Sequence, residues 1–244
     1  MDIVYTTKFP VTTAHVDCFG RCKVSSFLRF AQDAAGEHCE LLGTDRESMA
    51  EKNIFWAVIR QKMAITRLPR TGERVIVKTW PMPTTRVAYP RATEGYDKEG
   101  NLLFQVISIW VIMDMTSRAM VLPGKSGVEV PGILTGTELK APVGLRSADF
   151  TCEDVRRVCF SDLDENGHMN NTRYLDWLCD LLPSEFHREH PMKAVTICYM
   201  SEALEGQQLQ LTWTGTQLFR LDGSAAQTDV SGGHTRIFSA EAEF

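Results

Sequence analysis

One pattern occurs twice along these 244 residues, and it restricts the fold more than any other feature. From Ser25 to Leu42 the sequence SSFLRFAQDAAGEHCELL sets Phe27, Ala31, Ala34, His38 and Leu41 at helical spacing, with Ser25 or Ser26 placed to cap and Gly43 following. Strand-like segments come next. IFWAVIRQKMAIT puts Ile59, Met63 and Ile65 on one face and Arg60 and Lys62 on the other. RVIVKTW and RVAYPRATEGY follow, and after the turn DKEGN comes LLFQVISIWVIMDM, apolar enough for a central strand. The pattern then restarts. DVRRVCF leads to a helix presenting Tyr174, Leu175, Leu178, Leu181 and Leu182, stopped by Pro183. KAVTICYM and LQLTWTGTQLFRL continue it, with hairpin turns expected at Asp222-Gly223 and Gly232-Gly233. Between the halves, Pro123, Pro131, Pro142 and five glycines break all periodicity. The expected organisation is an N-terminal domain over 1–122, a linker over 123–149 and a C-terminal domain over 150–244. The expected class is α+β, a long helix against a twisted antiparallel sheet, made twice. Within the repeat, Asp17 stands to Ser25-Ser26 as Asp162 stands to Asn170-Asn171, and GERVIVKTW resembles GQQLQLTW.

Composition excludes several classes. A formal charge of −5 argues against bulk nucleic-acid affinity. No segment has the run of about 18 apolar residues that a membrane span needs, and the N-terminal sequence has no signal-peptide pattern. Seven cysteines, odd in number and scattered, suit a reducing compartment, so the expected location is cytoplasmic.

The stretch FSDLDENGHMNNTRYLDWL, Phe160 to Leu178, crowds Asp162, Asp164, Asn166 and His168 just ahead of the second helix. Asn170 or Asn171 is placed to cap that helix, whose free amides and dipole would stabilise an oxygen gaining negative charge. An imidazole exchanges protons near neutral pH, Asp164 can hold its ring, and Asn166 offers an uncharged donor and acceptor. These are the parts for attack of water on an ester or thioester. Turns and caps alone would also use Asp, Asn and Gly here, and composition does not separate the two.

The residues themselves resemble a family. SDLDENGHMNN followed by TRYLDW is similar to the signature of the acyl-acyl carrier protein thioesterases, plant plastid enzymes and their bacterial relatives. The resemblance implies two tandem hotdog folds and hydrolysis of fatty acyl-acyl carrier protein to free fatty acid, ending chain elongation. It puts Asp164, Asn166 and His168 on the family's catalytic positions, and CYMSEALEG puts Glu202 on the catalytic Glu. Ala203 stands where plant members commonly have Cys, which removes a cysteine nucleophile there; the lack of a transit peptide suggests a bacterial-type member. The chemistry then runs on carboxylate, amide and imidazole, with no cofactor and no metal. Glu202 and His168 would activate water; direct attack by Glu202 is the alternative. A hotdog acyl-CoA thioesterase, an enoyl-thioester hydratase and a non-catalytic acyl-binding module stay open.

The first half has no acid-imidazole set, its loop reading VDCFGRCKVSS. By resemblance it shapes the acyl pocket, with Phe27, Phe30, Ala31 and Ala34 as lining candidates, beside Asn170 and Asn171 from the second half; all four helix residues also suit a core. Trp56 and Trp110 are equally ambiguous. His15, Cys18, Cys22, His38 and Cys39 have spacing that a zinc site could use, but His38 and Cys39 are adjacent on a helix that packing explains. From Arg60 to Lys78 there are six basic residues and one acid. An acidic acyl carrier protein bearing its 4'-phosphopantetheine-linked chain could be steered there, Arg70 and Arg74 first, and a solvated sheet face would read the same way. No nucleic acid partner and no membrane span are expected, and a homodimer is left open.

Overall fold

The computed structural model describes residues 3–134, 136–146, 148–215, 217–226 and 234–244. It divides into two compact units, 1–142 and 143–244.

In the first unit, β1 (Tyr5–Pro10) leads to α1 (Val24–Leu42) and the short α2 (Arg46–Ala50). β2 (Ile54–Ile65), β3 (Arg74–Pro81), β4 (Tyr89–Tyr96) and β5 (Leu102–Asp114) follow, then β6 (Met120–Val121) and α3 (Pro123–Ser126). The strands are antiparallel in the order β1-β3-β4-β5-β2, with β6 beside β5. α1 buries Phe27, Phe30, Ala31, Ala34 and His38 as one stripe. Phe27 stacks on Phe104 of β5 at 4.3 Å between ring centroids, and Phe30 lies 5.0 Å from both Phe9 and His15. Burying each Phe side chain contributes about 1.5–3 kcal/mol. Leu41, expected on this stripe, is exposed. Ser25 and Ser26 do not cap: Lys23 is the N-cap, and Ser26 Oγ donates to the carbonyl of His15 at 3.0 Å. In β2 the register slips between Val58 and Arg60, which makes Ile59 an extra residue and leaves Ile54, Val58, Gln61 and Met63 as the buried positions.

The region read as a linker is partly built into this unit. Ile133 and Leu139 pack against the cluster of Trp80, Ala92 and Ile107, and the N–H of Ile133 donates to the carbonyl of Pro81 at 3.0 Å. The division falls after Pro142 rather than spanning 123–149.

In the second unit, β7 (Cys152–Arg157) leads to α4 (Arg173–Asp180) and α5 (Ser184–Glu189), then β8 (Ala194–Tyr199), β9 (Gln208–Thr214), β10 (Leu218–Ala226) and β11 (His234–Glu243). These strands are antiparallel in the order β8-β11-β10-β9-β7. The helix is not long here. α4 has eight residues and buries Tyr174, Leu175, Trp177 and Leu178, while Leu181 and Leu182 lie beyond it and half-buried. Asp222-Gly223 is not a turn but the middle of β10. A Cβ on Gly223 would sit 2.1 Å from the Phe238 ring, and one on Gly95 would sit 2.1 Å from the Phe104 ring. Each glycine is therefore the space into which a core aromatic lies flat on the sheet. Phe27 covers Phe104 and Tyr174 covers Phe238, at 4.7 Å, so both units use one helix-aromatic-glycine stack. The turn expected at Gly232-Gly233 lies outside the described residues.

His38 gives the first unit an acid-sensitive point. It is fully buried, faces the Arg91 guanidinium from β4 and stacks on Tyr5 from β1, whose hydroxyl donates to Glu37. Burial first, and then the Arg91 cation, lower its pKa to about 4. The folded value lies below the ordinary 6.5, so the unfolded chain takes the proton first. Stability therefore falls as pH drops from about 6.5 toward about 4, by on the order of 2–3 kcal/mol from this group. Urea unfolding at pH 7 and pH 4.5 should show a smaller acid loss in His38→Gln than in the unaltered chain. An equal loss would assign the effect to other groups.

Candidate active site

The motif folds into a closed loop on a 3-10 turn, Phe160–Asp162. Asp162 is buried. Its Oδ2 accepts from the N–H of Cys159 at 3.0 Å, its Oδ1 takes the Arg173 guanidinium at 3.0 Å, and its carbonyl accepts from the N–H of Asn170 at 2.8 Å. One carboxylate thus ties the entry of the loop to the start of α4. Asp164 closes the middle. Its Oδ1 accepts from the N–H of Asn166 at 2.8 Å and of His168 at 3.2 Å, while its own N–H donates to the His168 carbonyl at 2.8 Å. Gly167 turns the chain at φ +76°, with nothing within 4 Å of a Cβ position, so backbone conformation and not space calls for glycine.

The loop is then pinned against the segment after β8. Met169 N–H donates to the Ala203 carbonyl at 2.8 Å, and His168 bridges to Leu204. This brings Glu202, 34 positions along the chain, to the imidazole: His168 Nε2 lies 3.3 Å from Glu202 Oε2. The side chains are 23% and 45% exposed, which leaves the pair open to water and to substrate. Asn166 is exposed on the same loop.

Three sequence expectations change. The orienting role given to Asp164 alone is shared out: its Oδ1 holds loop amides, and Glu202 is the carboxylate that reaches Nε2. Asn170 and Asn171 do not cap α4, whose N-cap is Thr172. Asn170 Oδ1 instead accepts from the N–H and hydroxyl of Thr172, at 2.9 and 2.8 Å. The helix amides are also less available than expected, because Arg173 N–H donates to the Asn170 carbonyl and Leu175 N–H to that of Thr172. Ala203 is fully buried, so a side chain at that position faces the core.

Sequence reasoning passed over Arg173 and Tyr199. The Tyr199 hydroxyl donates to the Asn171 carbonyl at 3.1 Å, and burial raises its pKa well above 10, so it stays a donor. It lies in the same CYMSEALEG stretch as Glu202.

The first unit carries the same loop with other side chains at the corresponding positions. Asp17 Oδ1 accepts from Phe19 N–H at 2.8 Å and Arg21 N–H at 3.0 Å, Asp17 N–H donates to the Arg21 carbonyl at 2.8 Å, and Gly20 takes φ +71°. Thr12 N–H donates to His15 Nδ1 at 3.1 Å, as Cys159 N–H does to Asp162. Cys22 N–H donates to the Pro69 carbonyl at 2.7 Å, as Met169 N–H does to that of Ala203. These bonds align Asp17 with Asp164, two positions from the match suggested by sequence. Phe19 then stands for Asn166, Arg21 for His168 and Leu68 for Glu202. Arg21 is tied to Asp17 at 3.3 Å.

Phe27, Phe30, Ala31 and Ala34 lie in the first unit's core, as described above. Arg70 and Arg74 are exposed; Arg67 beside them is taken by Glu73 at 2.9 Å and Asp97 at 3.3 Å.

Comparison with known proteins agrees over nearly the whole length. An acyl-ACP thioesterase from Bacteroides thetaiotaomicron superimposes with a TM-score of 0.88 at 22% identity, over 99% of this chain and 97% of that one. The 12:0-ACP thioesterase from Umbellularia californica gives 0.79 at 20% identity, over 100% and 97%. These likenesses establish the tandem hotdog fold. The chloroplastic palmitoyl-acyl carrier protein thioesterase of Gossypium hirsutum is 25% identical over 223 residues, 85% of this chain and 54% of its own length. The chain thus spans about half the length of that curated relative. The family model for the acyl-ACP thioesterase N-terminal domain matches residues 2–122 and that for the C-terminal domain matches 148–239, and the chain belongs to the acyl-ACP thioesterase family.

Proposed function

We propose that this protein hydrolyses the thioester of fatty acyl-acyl carrier protein and that Glu202, His168, Asn166 and Asp164 carry the reaction. The observation that supports it most is the part-exposed pair of His168 Nε2 and Glu202 Oε2 at 3.3 Å, on a loop whose backbone is fixed at both ends. A water held by this pair attacks the thioester carbonyl carbon. Its proton passes to the carboxylate-imidazole pair, Asn166 donates to the carbonyl oxygen as it gains charge, and the C–S bond breaks. The same pair returns the proton to the pantetheine sulfur, leaving a fatty acid and a thiol. Asp164 acts by holding the loop. The first unit, with Phe19, Arg21 and Leu68 at the corresponding positions, serves as the acyl-binding unit. Its stripe of Phe27, Phe30, Ala31 and Ala34 provides the apolar wall. Seven free cysteines, and the fact that no helix among the described residues is long and apolar enough to cross a membrane, support a cytoplasmic setting.

The test is to incubate the chain with acyl-acyl carrier protein and with the enoyl analogue, following thiol, free acid and hydroxyacyl thioester. Equal amounts of thiol and acid are expected. A hydrated but intact thioester would make the protein a hydratase, and tight binding without thiol release would make it an acyl-binding module.

Two further outcomes belong to this reading. Iodoacetamide should alkylate the exposed Cys18, Cys152 and Cys159 and spare the buried Cys198 and Cys22, whose thiol burial pushes up to about 12, with activity largely kept. Full inactivation that substrate prevents would restore a cysteine mechanism. Reversing Arg70 and Arg74 to Glu should raise the KM for the carrier-bound substrate while hydrolysis of a pantetheine thioester stays nearly constant. The carrier preference should also fade as salt shortens the Debye length from about 10 Å at 0.1 M to about 3 Å at 1 M. Equal slowing of both substrates would mark these arginines as an ordinary solvated face.

A further inference from the structure

The sheet face beneath α1 changes character along its length. Near the start of the helix it is aromatic and aliphatic, Phe27 lying on Phe104. Near its end it is polar. The register sets Arg91 of β4 opposite Ser108 of β5, and Ser108 opposite Gln61 of β2, all three buried. Gln61 Nε2 donates to Ser108 Oγ at 3.1 Å. Arg91 Nη1 donates to His38 Nδ1 at 3.2 Å and to Thr79 Oγ1 at 3.3 Å, and Nη2 points to Cys39 Sγ at 3.8 Å. Thr79 Oγ1 in turn meets Thr93 Oγ1 at 2.9 Å.

This cluster has donors in excess and no negative charge. Among the described residues no carboxylate lies within ion-pair distance of Arg91, although a buried guanidinium ordinarily has one. Because His38 Nδ1 accepts from Arg91, the proton of the neutral ring is on Nε2. That N–H is fully buried and has no partner among the described residues. A buried donor without an acceptor is destabilising, and a buried guanidinium without an anion more so. Packing alone would favour an apolar residue at each position. Among the described residues the cluster lacks an acceptor for His38 Nε2–H and an anion for Arg91, and it lies in the unit assigned to the acyl chain.

We propose that Arg91 and His38 form an internal oxygen-binding site that selects acyl chains carrying a carboxylate, oxo or hydroxyl group away from the thioester. The oxygen would accept from Arg91 and from His38 Nε2, while Phe27, Phe30, Ala31 and Ala34 hold the hydrocarbon. This rests on the first unit's role as the acyl-binding unit.

Two readouts test it. The first is kcat/KM for pantetheine thioesters of equal chain length, unsubstituted or bearing a distal hydroxyl, oxo or carboxylate group. At least one oxygenated series should exceed the unsubstituted one by about tenfold or more, because a site built to hydrogen-bond an oxygen discriminates against the analogue that lacks it. In His38→Phe and Arg91→Met that ratio should fall to within about twofold of unity. The ratio is read on a single variant, so a general loss of activity cancels. If unsubstituted chains are hydrolysed as well as or better than every oxygenated chain, the proposal is overturned and the thioesterase reading stands.

The second readout needs no turnover, and it also decides the case if Arg91→Met fails to fold or if no thioester is cleaved. The His38 Nε2–H resonance of the unaltered protein, labelled with 15N-histidine and assigned with His38→Phe, should move when a non-hydrolysable alkyl-pantetheine thioether bearing a distal oxygen function is added. It should not move with the unsubstituted thioether. The three oxygen functions, tried separately, separate an anionic ligand from a neutral one. No movement with any of them overturns the proposal, and thiol release from no substrate at all overturns the thioesterase reading separately.

Discussion

Replacing His168 by Ala is expected to lower turnover of acyl-acyl carrier protein by at least about a hundredfold, with the fold kept. The size follows from losing an acid-base group, which is ordinarily worth about 10²–10⁴ in rate. The fold should survive because the bonds that His168 gives to the loop come from its backbone: its N–H reaches Asp164 Oδ1 and its carbonyl accepts from Asp164 N–H. Ala keeps both. The half-buried ring contributes little core area, so the melting temperature should move by only a few degrees. KM should change less than kcat, since in the proposed mechanism the imidazole serves the water and the leaving sulfur and not the acyl tail. A folded variant that keeps most of its rate would remove His168 from the chemistry.

Glu202→Gln should be of similar size, and the double variant is the more telling result. Gln keeps the volume and a hydrogen-bonding partner for His168 Nε2 but cannot take a proton from water. A loss of about 10²–10⁴ in kcat is expected. If the two side chains work as one unit, His168→Ala with Glu202→Gln should be scarcely slower than either alone, as groups sharing one function are strongly non-additive. Additive losses would mean that each acts on a separate step. Glu202 is 45% exposed and outside the core, so its replacement should leave stability nearly unchanged.

The motif was legible because its parts are close in sequence. Asp164, Asn166, Gly167 and His168 fall within five positions, and a turn that binds its own amides leaves a recognisable spacing. Glu202 was legible only through the resemblance, since nothing local to CYMSEALEG says that its carboxylate meets an imidazole 34 residues earlier. The repeat was visible but placed two residues out of register. Matching acids put Asp17 on Asp162, whereas the backbone bonds put it on Asp164. The residue that does match Asp162 is His15, a different side chain accepting the same kind of N–H.

Other misreadings have tertiary causes. Asp222-Gly223 looks like a hairpin turn, but the glycine is there because Phe238 lies on the strand. Leu41 fits the helical period yet is exposed near the end of α1, and a bulge at Ile59 shifts the buried positions of β2. The second helix ends at Asp180, before Leu181, Leu182 and the Pro183 that the apolar pattern took as its stop. The charge on Arg91 could not be assigned from sequence at all, because only the folded register sets it beneath His38.

Direct cleavage of the thioester by water activated at His168 and Glu202 is the step on which the proposed function depends. One single-turnover reaction in 18O-water tests it, with enzyme in excess over acyl-acyl carrier protein and mass spectrometry of both the fatty acid and the Glu202 peptide. One thiol and one fatty acid per substrate, a single 18O in the acid and no label in Glu202 are expected. An intact thioester, or 18O in the Glu202 carboxylate, would overturn direct attack by water.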